Sequence, residues 1–384
     1  MKLKCRPEDF RVQERLKVKP GRRGRHSLYR LEKRNWNTLD VIRELEHRHG
    51  LKRVARLGLK DRYSLSVQYL SASGRGPDQV IEKDWRVVRV GMLDRPLGRE
   101  MLAGNRFTVV LRALTENEVE TVQSAFPPLA RFGVANYYDE QRFGSARAGA
   151  GFVAERLIAG HWNGALRLWL ATPTEHDDSR ERKRRRHFEE CWGDWPRCLR
   201  AATPESRPAL EHLSRHPNDP RGAVRLIPRP LLELFLNAWQ SWAWNEVLAR
   251  VVARACPRVV EERHPFGVLR FWEQPTPAAL RYLEKLVIPA PAPDAHSKSD
   301  RVMREMTEVL AGRGLELAGL RLKLRLGGLY FKSWDRAAVV VPRNAELSGP
   351  EPDDLYPGRS RLTLGFFLPP GSYATIVVKR LMLG

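Results

Sequence analysis

Val54-Ala55-Arg56-Leu57-Gly58-Leu59-Lys60-Asp61-Arg62-Tyr63-Ser64-Leu65-Ser66-Val67-Gln68-Tyr69-Leu70 is the stretch on which the reading of this chain turns. Residues 54–57 have the pattern of a short strand and residues 66–70 that of another, with a turn opened by Gly58 between them. Asp61 therefore falls on the bend between two sheet elements, held by backbone and open on one side. Lys60 and Arg62 flank it. Neighbouring cations favour the charged form of a carboxylate, the state that suits a nucleophile or a base better than a proton donor. On an extended backbone, adjacent side chains point to opposite faces, so adjacency alone brings neither Lys60 nor Arg62 to the carboxylate. Locally, the same residues also describe a solvated surface turn.

Outward from this turn the pattern is mixed. Phe10-Arg11-Val12-Gln13-Glu14 and Ser27-Leu28-Tyr29-Arg30-Leu31 alternate as strands, and Pro20-Gly21-Arg22-Arg23-Gly24-Arg25 lies between them. This predicts a hairpin with a long basic tip, near the Asp61 turn and within reach of a nucleic-acid backbone. Asn37 caps a predicted helix that turns Leu39, Ile42 and Leu45 inward and closes at Gly50. Further strands are expected at 85–90 and 106–111, and a helix at 116–129. Strands and helices follow no regular βαβ alternation, which points to an α+β fold.

After Gly144 the texture changes. A helical region at 152–170 is followed by the basic run Arg180-Glu181-Arg182-Lys183-Arg184-Arg185-Arg186-His187, then by a stretch that the prolines 204, 208, 217, 220, 228 and 230 mark as loop-rich. A long helix is expected at 231–253, and Pro289-Ala290-Pro291-Ala292-Pro293 makes another break. A strand at 362–368 and a helix at 373–383 complete the chain. The pattern is consistent with an insertion over about 160–345.

The chain has 384 residues, enough for two domains, with 67 Lys and Arg against 45 Asp and Glu, a formal net charge of +22 and a pI near 10.4. Such an excess attracts a polyanion and makes binding salt-sensitive through counterion release. Eleven Trp, nine Tyr and thirteen Phe supply stacking faces for unpaired bases, although most serve a core. Cys5, Cys191, Cys198 and Cys256 show no Cys-x-x-Cys spacing, so neither a zinc site nor a disulfide framework is expected. No apolar run reaches the roughly 18 residues of a membrane span and the first residues lack a signal-peptide core, so a soluble, cytoplasmic protein is expected.

Five motifs in order, from residue 4 to residue 375, give the chain a specific resemblance. They are Lys4 with Pro7-Glu8-Asp9-Phe10; Gly58 with Lys60-Asp61-Arg62 and Gln68; Gly104-Asn105-Arg106-Phe107; Asn136-Tyr137-Tyr138-Asp139-Glu140-Gln141-Arg142-Phe143-Gly144; and Pro369-Pro370-Gly371-Ser372-Tyr373-Ala374-Thr375. In these the chain resembles the TruD family of pseudouridine synthases. The resemblance implies a pseudouridine-synthase domain with a mixed, mainly antiparallel sheet, formed by 1–159 and 346–384. It also implies an inserted α+β TRUD domain at 160–345, no cofactor, and uridine 13 of tRNA as the target.

The resemblance assigns the catalytic carboxylate to Asp61 and a base-stacking role to Phe10. It gives an orienting role to Asn136, whose amide can bond both a carboxylate and a uracil edge. Tyr373 stands at an aromatic contact to the base, Lys4 is a candidate cation beside Asp61, and Tyr138 packs beneath the base or relays a proton. Lys60 and Arg62 are further substrate-binding candidates. Four positions depart from the family pattern. Asp139 replaces a Gly, at a turn where Asp tolerates positive φ; Ala135 replaces a common Pro; and Lys379-Arg380 stand where Arg-Glu is frequent. Alternatives are a non-catalytic RNA-binding or RNA-chaperone protein, and the same chemistry on rRNA or another RNA.

Overall fold

Alternation along the strand that carries Leu28, Tyr29 and Leu31 buries residues on both faces of one sheet. In the computed structural model, which describes residues 1–147, 149–174, 177–324 and 326–384, the chain forms two compact units. One comprises Met1–Val134 with Val340–Gly384, the other Ala135–Val339.

The first unit is built on a nine-stranded sheet. Its N-terminal elements are β1 (Phe10–Leu16), β2 (His26–Arg34), α1 (Thr38–His47), β3 (Lys52–Arg56), β4 (Leu65–Ser73), β5 (Gln79–Ile81), β6 (Trp85–Leu93), β7 (Leu102–Leu114) and α2 (Glu116–Phe132). The strands Arg343–Pro352 and Ser360–Leu368 return to pair beside β7. Across the sheet the order is Arg343–Pro352, Ser360–Leu368, β7, β1, β4, β2, β6, β5, with β3 also on β4. Only β1 and β4 run parallel; the other pairings in this sheet are antiparallel.

This order corrects the expected hairpin. β1 and β2 are not partners, because β4 lies between them, pairing with β1 on one edge and β2 on the other. Local alternation finds both strands but carries no information on which edge each takes. The basic segment after β1 is therefore a crossover; Gly21 forms a bridge to Met92.

One face of the sheet packs on α1, whose Val41, Ile42 and Leu45 meet Tyr29, Leu31, Leu70, Trp85 and Val87. Val41 is buried where the pattern predicts Leu39; Leu39 is only half-buried. Asn37 caps the helix as expected, its side chain accepting from Leu39 N. Leu28, Leu57, Leu93, Leu97, Met101 and Leu102 form a second cluster. The N-terminus is secured by Arg112, which is almost wholly buried and donates to Asp9, Asp353 and Asp354 at 2.8–2.9 Å. Paired in this way the charges offset much of their desolvation cost. The hydrogen bond from Arg112, joined by one from Arg6, holds the Asp354 carboxyl down at about 2.

In the second unit the helix Arg229–Ala255 is the central element, with Trp239, Trp244, Val247 and Leu248 buried along it. The stretch expected to be loop-rich holds the short helices Trp195–Leu199, Arg207–Arg215 and Pro220–Arg225, each with proline in its first turn. Proline is favoured there because its missing N–H has no helical acceptor to lose. The unit begins at Ala135, and Tyr138 and Phe152 pack within it. Asn245 clamps the backbone of Tyr138 on both sides, and Phe152 lies 5.4 Å from Trp242. No helix among the described residues is long and apolar enough to cross a membrane.

Candidate active site

The Asp61 turn grows out of a gap in the sheet. β1 pairs with β4 only through Gln13↔Val67, and β3 takes the same edge of β4 from Leu70 onward. Tyr69, between them, gives its N–H to Glu14 Oε2 at 2.8 Å. The fully buried Glu14 carboxylate thus replaces a missing strand, and Lys60 Nζ pairs with its other oxygen at 2.9 Å. Lys60 also donates to Asn105 Oδ1 at 2.8 Å. Lys60 therefore points away from the Asp61 carboxylate, and it ties the turn to β1 and β7. Arg62 points elsewhere, donating to Asn35 O at 3.3 Å on the surface.

The backbone of the turn is fixed from beneath by Lys33 on β2, which is 1 % exposed. Its ammonium donates to Trp36 O at 2.8 Å, to Asp61 O at 2.9 Å and to Lys60 O at 3.4 Å. Burial pulls the Lys33 pKa down to about 8, with neighbouring Lys60 acting in the same direction and Asp61 against it. Ser64 Oγ donates to Asp61 O at 2.7 Å. Gln68 Oε1 accepts from Thr38 Oγ1 at 2.9 Å, and Thr38 Oγ1 in turn accepts from Lys60 N at 3.4 Å. The motif's glutamine thus acts on the turn through the start of α1.

The carboxylate itself meets Lys4, whose Nζ donates to Asp61 Oδ2 at 2.5 Å. The same ammonium stands 4.5 Å from the centre of the Phe10 ring, within cation–π range. Lys4 adopts a left-handed backbone, φ 54, a conformation that costs a non-glycine residue free energy and that surrounding contacts must hold. Asp61 remains about one-third exposed, so one ionisable group is gripped from behind and open in front. Phe10 is buried and packs edge-on to Phe107, which stacks on Phe366. Tyr373 caps the helix Ala374–Met382 and follows the strand that ends at Leu368, the register partner of Asn105.

Lys4, Phe10, Lys60 and Asp61 thus come together in the first unit, whereas Asn136 and Tyr138 belong to the second. Asn136 Nδ2 donates to Ala337 O at 3.1 Å and its Oδ1 accepts from Arg336 Nη2 at 2.8 Å. The Arg336 guanidinium lies 4.0 Å from the Tyr138 ring centre, Trp244 meets that ring edge-on, and Trp334 Nε1 donates to the Tyr138 hydroxyl at 2.9 Å. Asp139 has φ −80 and precedes the short helix Glu140–Phe143. The turn needs no left-handed residue, which explains why Asp is accepted in place of Gly.

Sequence reasoning missed Lys33, Glu14 and Arg112. Lys33 and Glu14 sit at strand positions that alternation assigns to the interior, and a charged residue at an inward position is the signal that could have found them. Among the described residues no cluster of His, Cys, Asp and Glu is arranged to hold a metal ion.

The family described as tRNA pseudouridine synthase D (TruD) matches residues 1–381. The chain is 29% identical over 396 residues to the "Probable tRNA pseudouridine synthase D 2" of Methanocaldococcus jannaschii, covering all of this chain and 92% of that protein. It is 26% identical to the tRNA pseudouridine synthase D of Leptospira interrogans, covering 99% and 96% of the two chains. It is also similar to a crystal structure from Methanosarcina mazei described as the "Putative tRNA pseudouridine synthase D (TruD)", with a TM-score of 0.72, 25% identity, and coverage of 99% and 93%.

Proposed function

The chain belongs to the TruD family of tRNA pseudouridine synthases, and from that premise we propose that Asp61 is the catalytic carboxylate and uridine 13 of tRNA the target. The reaction breaks the bond from C1′ to N1, turns the uracil, and joins C1′ to C5; C5 gives up a proton and N1 gains one. Nothing enters or leaves overall. One carboxylate at the sugar and base can start the sequence by attack or by proton removal. The uridine leaves its stack to reach such a group.

The observation that carries this reading is the Lys4 grip on Asp61 beside Phe10, on a turn whose backbone carbonyls are held by a buried ammonium. Lys4 orients one carboxylate oxygen and offsets its charge, leaving the rest of the group toward solvent. Phe10 and Tyr373 are proposed to meet the flipped base. Asn136 and Tyr138, held by Arg336, Trp334 and Trp244, are proposed to bind uracil, as the family resemblance implies. Simple phosphate binding requires none of this, which sets the reading apart from a non-catalytic RNA-binding protein.

The test is to incubate an unmodified full-length tRNA transcript and ribosomal RNA with the purified protein and to map pseudouridine at single-nucleotide resolution. Product at position 13 of tRNA is expected. Product only in ribosomal RNA would overturn the target, and no product in any RNA would overturn the enzymatic reading of Asp61.

A further inference from the structure

The basic crossover after β1 lies at the end of the sheet opposite Asp61. β2 carries Lys33, under the Asp61 turn, at one end and His26 at the other, where it meets Ser73 of β4 and Leu93 of β6. At about 3.4 Å per residue, the run from His26 to Lys33 measures roughly 24 Å. The expectation that this segment lies near Asp61 is therefore corrected.

At that far end is a groove of about 850 Å³ lined by Arg22, Arg23, Arg25, Arg75 and Arg89. Its acid, Asp78, pairs with Arg89. Arg22, Arg23, Arg25 and Arg75 are exposed and, among the described residues, form no ion pair. Arg112 and Arg254, by contrast, meet carboxylates. The backbone packs closely beside the groove: a Cβ added to Gly24 would stand 2.6 Å from Leu93 O, and one added to Gly91 2.5 Å from Pro20. Four guanidinium groups without a carboxylate partner line one groove and form a surface for anions, and planar guanidinium is suited to bidentate contact with phosphate.

We propose that this groove holds a stretch of RNA phosphate backbone remote from the reacting uridine, so that the sheet grips its substrate at both ends. The inference rests on the tRNA reading above. Separated from the Asp61 end by roughly 24 Å of strand, the groove engages RNA several nucleotides from the target. It reads no sequence and fixes where the RNA lies.

The test replaces Arg22, Arg23, Arg25 and Arg75 together by Gln. All four are surface residues outside the Asp61 machinery, so folding and the saturating single-turnover rate should match wild type. Affinity for full-length tRNA should fall, and the slope of log affinity against log salt should flatten by roughly 0.7–0.9 for each phosphate no longer neutralised, or about 3 for four. Affinity for a five-nucleotide RNA centred on the target uridine should not change. An unchanged slope with full-length tRNA would overturn the proposal. So would an equal loss for the short RNA, which would mean a diffuse charge effect, or a loss confined to binding of anionic phosphatidylserine vesicles. Binding is read apart from product formation, so a wild-type protein that makes no pseudouridine would sink the assignment of Asp61 while the salt slope still judged the groove.

Discussion

Two stretches of this chain look alike as sequence and differ as structure: the Asp61 turn and the helix Ser179–Glu190 with its run of arginines. In the turn every lysine has a defined acceptor. Lys4 holds Asp61, Lys60 holds Glu14, and Lys33 holds three carbonyls. In the helix the run divides. Arg184 pairs with Glu181, and Arg185 turns inward to Asp177 at 2.9 Å and to Trp169 O at 2.5 Å. Arg180, Arg182, Lys183 and Arg186 are exposed. Charge density therefore says little about role; what decides is whether a cation is desolvated and given a partner. A buried, partnered ammonium sets geometry, and an exposed one adds to a salt-screened field.

The comparison breaks most directly at Asp61. Asp61→Asn is nearly isosteric and uncharged, and it should lower the single-turnover rate by on the order of 10⁴-fold or more while RNA affinity stays close to wild type. Rapid-quench assays with filter binding measure both. More than trace activity in a homogeneous sample would remove Asp61 from the chemistry.

Lys33→Met tests whether the buried ammonium sets the turn. It leaves carbonyls without a donor, at about 1–3 kcal/mol for each one kept buried, and should slow the saturating rate by about a hundredfold through misplacement of Asp61. The pH dependence is signed. The folded protein loses the Lys33 proton near pH 8, the unfolded chain near 10.5, so between these values unfolding takes up a proton and stability rises with pH. Wild type should gain stability relative to Lys33→Met across that window in thermal melts. Parallel curves would show that Lys33 does not titrate there.

The aromatic residues should have smaller effects. Because Phe10 is part of the core, Phe10→Leu is a cleaner change than alanine. Phe10→Leu and Tyr373→Leu should each slow the rate by about tenfold, within the roughly 1–3 kcal/mol of a base stack, and spare RNA binding. Equal weakening of every RNA with an intact saturating rate would place the residue on the general binding surface.

The smallest effects belong to the helix Ser179–Glu190. Changing Arg180, Arg182, Lys183 and Arg186 to Gln should shift stability by no more than about 0.5 kcal/mol and leave the saturating rate unchanged. If the exposed face touches phosphates, the salt slope of tRNA binding flattens; if it is only solvated, slope and affinity stay at wild type. Arg185→Gln alone should destabilise the protein in denaturant titrations, by about 1–3 kcal/mol, because it leaves the largely buried Asp177 carboxylate without its partner. A neutral Arg185→Gln would put this helix on the same footing throughout its length.

Local information determined much of this protein. Period-two alternation marks the strands that become β1, β2, β4, β6 and β7, Asn37 marks the start of α1, and five ordered motifs identify the family and its Asp61 turn. These features depend on neighbours within a few residues, which is the range over which propensity and capping act. Tertiary structure decided the rest. β4 entering between β1 and β2 turns an expected hairpin into a crossover and carries Arg22–Arg25 to the far end of the sheet. Glu14, filling the gap at Tyr69, and Lys33, reaching back to Asp61 O, act through partners 55 and 28 residues away. Asn136 reads in sequence as ready for a carboxylate or a base, yet its amide bonds Arg336 and Ala337. Strand partners, ion pairs and burial all depend on which distant segments meet, and a period or a motif does not encode that meeting.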